Sequence, residues 1–146
     1  FFSVCPCQAM FSKQIDNLSD QKNNLQDQIA DLNTKIHYLG QYHVNKKYFS
    51  SMLKSDNKAD YRKTHSDKIA QYDEARNFLK SVYPDSDYPD LNQLKNQRKQ
   101  ILTDYKSLNS DIHDLYKQNQ KLKIVSHNSQ ELLSHKQVIS RENLHL

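Results

Sequence analysis

Nine tyrosines, seven histidines and the pair Cys5 and Cys7 are the residues of this chain whose chemistry invites attention first. A tyrosine acts as a nucleophile only when a base or a metal stands beside it. Seven of the nine fall between Tyr38 and Tyr88, yet no neighbouring pattern specifies such a base. The histidines are His37, His43, His65, His113, His127, His135 and His145. No two are four apart, the spacing that lets one helix face hold zinc. Cys5 and Cys7 form a C-x-C pair, half of a metal site that lacks two further ligands at a recognisable spacing. Asp85, Asp87 and Asp90 crowd together, but they lie among prolines without the long glycine-containing loop that calcium needs. They suit a turn and the start of a helix. The expectation is therefore a segment with no catalytic site, no metal, no cofactor and no small-molecule substrate.

The elements that would carry these residues are long. The chain has 146 residues with one glycine and three prolines, so few positions can turn it. Mean hydropathy is −0.97 and 36% of residues are apolar, thin for a globular core but normal for helices burying one stripe. Ile15, Leu18, Leu25, Ile29, Leu32, Ile36 and Leu39 recur in steps of three and four, with Lys22 interrupting. That seam predicts a coiled-coil helix over 13–39, bending or ending at Gly40. A second seam, from Leu91 and Leu94 through Ile101, Tyr105, Leu108, Ile112 and Leu115 to Leu122, returns at Leu133 and predicts a helix over 90–134. Arg98 and Asn119 are its polar members. Between them, 41–83 reads as a helical, tyrosine-rich head, with Ser55-Asp56-Asn57 as a turn and a helix from Lys58 to Val82 facing inward through Ile69, Tyr72, Leu79 and Val82. The stretch 83–90, with two prolines, must be a break. Residues 1–12 are expected to be irregular and 135–146 to fray.

Leucine stripes need partners. The simplest closure is an all-α, long antiparallel helical hairpin, coiled-coil-like, with the head between its two long helices. The rival closure is between chains. No apolar run approaches the ~20 residues of a membrane span, and a cytoplasmic protein is the default expectation.

Charge is concentrated in the head. Between Gln41 and Tyr72, seven cations face three acids, a surplus equal to the net charge of +4. Lys46, Lys47, Tyr48, Lys54, Lys58, Arg62 and Lys63 are the candidate nucleic-acid contacts. Lysines would follow a phosphate backbone and exposed tyrosines would stack on unpaired bases. Lysine outnumbers arginine, which favours point-charge contact over reading of bases. A DNA surface requires Lys46, Lys47, Arg62 and Lys63 on one exposed face, not paired to acids. An adaptor requires an exposed leucine stripe.

The run Tyr38-Leu39-Gly40-Gln41-Tyr42-His43-Val44-Asn45-Lys46-Lys47-Tyr48-Phe49 carries a family resemblance. It continues through Tyr61-Arg62-Lys63-Thr64-His65, Tyr72-Asp73-Glu74-Ala75-Arg76-Asn77-Phe78-Leu79-Lys80 and Tyr88-Pro89-Asp90-Leu91-Asn92-Gln93-Leu94-Lys95. Together with Leu122-Lys123-Ile124-Val125-Ser126-His127-Asn128, these resemble the C-terminal helical region of relaxases, the mobilisation nucleases of Gram-positive mobile elements. The resemblance spans roughly 13–133. Relaxases nick one DNA strand with a tyrosine and a histidine-held metal, both in an N-terminal domain, and no residue here matches that domain. The resemblance thus implies an accessory region, expected to be a piece without its nuclease. It would bind DNA, other transfer proteins or a second copy. The alternative is a structural coiled-coil oligomerisation or adaptor module with no nucleic-acid role.

Overall fold

The computed structural model describes residues 6–144, with side chains to 139. Among them the chain is all-α: α1 (Pro6–Lys54), α2 (Lys58–Thr64), α3 (Ser66–Val82) and α4 (Leu91–Leu144). None of these helices is long and apolar enough to cross a membrane. The chain divides into two compact units, one of 1–24 with 105–146 and one of 25–104, and in each a stretch of α1 packs antiparallel on a stretch of α4, as in a helical hairpin.

In the unit of 25–104, Leu32, Leu39, Leu79 and Leu94 form the buried core. Ile36, Tyr42, Phe78, Tyr83, Tyr88, Leu91 and Ile101 close around it. The seam Leu32–Leu39 and the inward residues Ile69, Tyr72 and Leu79 are buried as their spacing predicts. Arg98, a polar member of the second seam, donates to Asn33 Oδ1 at 2.9 Å. It is half-buried, its guanidinium satisfied across the hairpin rather than left bare.

In the unit of 1–24 and 105–146, Ile15 and Ile112 are buried between α1 and α4. Lys22, the interruption of the first seam, lays its ammonium 5.5 Å from the centre of the Tyr105 ring. A cation over an aromatic face is a favourable way to seat a lysine at a seam. Asn119 is also buried, and its Oδ1 has no protein partner.

Several boundaries differ from those the pattern predicts. α1 runs unbroken through Gly40 to Lys54. A Cβ at Gly40 would meet nothing within 4 Å and its φ is not positive, so this glycine is an ordinary helical residue. Among the described residues the helix already includes Pro6, inside the stretch expected to be irregular. Cys5 lies outside the described residues. At the far end α4 continues to Leu144, beyond 134, and Leu133 is exposed rather than back in the seam.

The helix expected over 58–82 is two. Asn57 caps α2, its Oδ1 accepting from Asp60 N at 3.1 Å. The chain then bends at His65, whose φ of −114° and ψ of 35° interrupt the helix before α3. The proline-rich break lies between Val82 and Leu91, with Ser86 at φ 60°. Asp90 opens α4 by accepting from Asn92 N at 3.4 Å.

Candidate nucleic-acid interface

The head is built from the second half of α1 and the short helices that follow. Tyr38, Tyr42, Asn45, Phe49 and Met52 recur at three- and four-residue spacing on α1, one face of a helix. They meet α3. Tyr38 stacks on Phe78 with centroids 4.3 Å apart and donates to Glu74 Oε1 at 3.2 Å. Tyr72 lies between Tyr42, at 5.2 Å, and Phe49, at 4.7 Å, both nearly parallel to it. Such stacks bury much area at low entropic cost, so these tyrosines hold the head together, as the sequence predicts for Tyr42 and Tyr72. Burial, and then interaction with the Tyr42 hydroxyl, push the Tyr72 phenol up to about 12. The Tyr38 phenol is raised by the Glu74 carboxylate beside it.

A second aromatic group gathers at the bend between α2 and α3. Tyr61 stacks on His65 at 4.2 Å, one helical turn on, and Tyr48 approaches the same imidazole at 5.6 Å. All three rings are half-buried. Their order, Tyr48–His65–Tyr61, makes a short ladder from α1 to the α2–α3 bend. The Lys47 ammonium lies 5.2 Å from the Tyr48 ring centre, and Lys58 and Lys63 flank Tyr61 in sequence on α2.

The predicted contacts divide on this geometry. Lys47, Lys58 and Lys63 are exposed, Lys47 over the Tyr48 ring and the other two close to Tyr61 in sequence; Lys54 is exposed one heptad beyond Lys47 at the end of α1. None of these four forms an ion pair among the described residues. Lys46 is exposed but leans over Tyr42, at 5.7 Å, beside the core stack rather than the ladder. Arg62 is exposed but already paired within the chain. Its Nη1 donates to Asp73 Oδ2 at 3.1 Å, tying α2 to α3. The requirement that Lys46, Lys47, Arg62 and Lys63 all be free of acids is therefore not met at Arg62.

His65 is the residue the spacing passes over. Its one signal is the four-residue interval from Tyr61, which reads as an ordinary turn of helix. Asn45 is likewise unannounced. It is buried at 2% exposure, donates Nδ2 to Gln71 Oε1 at 3.2 Å, and leaves its Oδ1 without a protein partner.

Among the described residues no three histidine, cysteine or carboxylate side chains converge where a metal could sit; Cys7 is exposed and unpaired. No family model, curated protein or solved structure matches the chain.

Proposed function

We propose that this chain is the accessory helical region of a DNA-mobilisation relaxase in the cytoplasm, acting by binding and not by catalysis. The observation that carries the reading is the head. Four exposed lysines without acidic partners, Lys47, Lys54, Lys58 and Lys63, fall in the same segment as an aromatic ladder, and that segment carries the resemblance to relaxases. Lysines of this kind neutralise phosphates and half-exposed rings stack on bases. The hairpin supplies a stiff mount, and the contact holds the nuclease near the strand it processes.

A salt series of binding to labelled single-stranded and duplex DNA tests this. Four phosphate contacts give a slope of log K against log salt of about −2.8 on single strands and about −3.6 on duplex. Changing Lys47, Lys58 and Lys63 together to glutamine should flatten the single-strand slope by about 2. Equal slopes for both proteins, or no binding at low salt, would remove DNA from the reading. The second reading, a coiled-coil adaptor without a nucleic-acid role, is favoured by one observation: apolar side chains lie exposed along the last turns of α4.

A further inference from the structure

Those exposed residues follow a rule. Along α4 the buried seam steps by three and four through Ile112, Leu115, Asn119 and Leu122. Continued in phase it would reach Ser126, Ser129 and Leu133, two of them polar. The apolar residues instead appear one position earlier, at Val125, Leu132 and Ile139, seven apart. A three-residue step where four is due shifts the stripe to another face of the helix. Every described side chain from His127 to Ile139 is exposed, Leu132 at 64%.

We infer that residues 124–139 of α4 form a parallel two-stranded coiled coil with the same segment of a second copy of this chain. In heptad terms Val125, Leu132 and Ile139 take the a positions, Asn128 and His135 the d positions. Glu131 then falls at g and Lys136 at the e position of the next heptad. In a parallel pair, g of one helix meets the e five residues on in its partner. Glu131 therefore faces Lys136 of the second copy, twice by symmetry. Apolar layers also meet apolar layers, and Asn128 and His135 each meet their own copy, polar layers that fix register at a cost in stability.

The antiparallel arrangement fails on the same residues. It would oppose a layers to d layers, setting Leu132 against Asn128 and Val125 against His135, and would bring the two Glu131 carboxylates together. In the single chain Glu131 pairs with His127 at 3.1 Å on the exposed surface, a contact weak enough to yield to a lysine. Lys136 has no ion pair among the described residues. This inference does not rest on DNA contact by the head, which these substitutions leave untouched.

Sedimentation equilibrium of the full chain under reducing conditions, which silence the exposed Cys7, is the test. The expected mass is twice the 17.3 kDa of the chain, with dissociation on dilution through the micromolar range. Leu132→Asp should give a monomer whose helical circular dichroism is retained up to the hairpin's share, because Leu132 touches nothing buried in the single chain. Glu131→Lys and Lys136→Glu should each weaken self-association about tenfold. Mixed, they should recover wild-type affinity, since every facing pair is then opposite in charge. A monomer across the whole range, or a dimer indifferent to Leu132→Asp, overturns the inference. Glu131→Lys that pairs with wild type more tightly than wild type pairs with itself overturns the parallel arrangement, because only an antiparallel pair sets the two 131 side chains face to face.

Discussion

Raising the pH from 9 to 12 probes how tightly the head closes on Tyr72. In the unfolded chain this phenol ionises near 10; in the folded chain burial and the Tyr42 hydroxyl push it up to about 12. The folded pKa is raised, so the stability tied to it is fully present below pH 10. Between 10 and 12 the unfolded chain releases a proton that the folded chain keeps, and stability falls as pH rises. The slope for one proton is about 1.4 kcal/mol per pH unit, so the loss across the window is roughly 2–3 kcal/mol. Other groups fall in the same direction: Tyr38, raised by Glu74, and Lys35, raised by its hydrogen bond to Asp31. The variant Tyr72→Phe isolates the contribution. It keeps both ring stacks and removes the ionisable hydroxyl, and should change neutral-pH stability by no more than about 1.5 kcal/mol. Urea unfolding followed by circular dichroism at half-unit pH steps gives both curves. They should separate steadily above pH 10, the variant declining less, while a phenolate absorbance titration of the folded protein should show one late tyrosine fewer in the variant. Parallel curves from 9 to 11.5 would mean that Tyr72 is no more protected than in the open chain, and that the stack does not seal the head.

Gly40→Ala should stabilise the protein by about 1 kcal/mol, because α1 passes through this position with room for a methyl group; a lower urea midpoint would show that the glycine serves a bend after all. Leu79→Ala, at a side chain with no exposure, should cost roughly 3–5 kcal/mol. A loss under about 1 kcal/mol in the same assay would place Leu79 outside the core that joins α1, α3 and α4.

The helices and their buried faces were legible because they rest on period alone. Steps of three and four place side chains on one face whatever the partner, and Leu32, Leu39, Leu94 and Ile112 obey. What period does not carry is whether a partner lies opposite. Leu133 keeps the spacing of the second seam, yet it is exposed. Gly40 was misleading for a related reason. Its cost in a helix interior is about 1 kcal/mol, small beside the tertiary packing that holds the neighbouring Leu39 and Tyr42. At the candidate site, the lysines could be named from charge but the fate of Arg62 could not. Its acid, Asp73, lies eleven residues on, beyond any local pairing rule, and reaches it only because the chain bends at His65. That bend is also what brings Tyr48 and Tyr61 to one imidazole.

The division between arginine and lysine bears on what the head can recognise. Each of the three arginines with a described side chain is engaged within the protein: Arg62 on Asp73, Arg76 over the Phe49 ring at 5.8 Å, and Arg98 on Asn33. A guanidinium is a planar fork, suited to fixed partners and to bidentate reading of a guanine edge. With those forks occupied within the protein, the unpaired positive charge of the head belongs to lysines, whose ammonium groups attract phosphate without geometric preference. The rings beside them are equally tolerant, since every base has a face to stack. A surface so composed would hold a nucleic acid wherever the backbone passes, strongly at low salt and with little regard for sequence. That would suit the role proposed above, in which the head keeps a sequence-reading nuclease close to its strand.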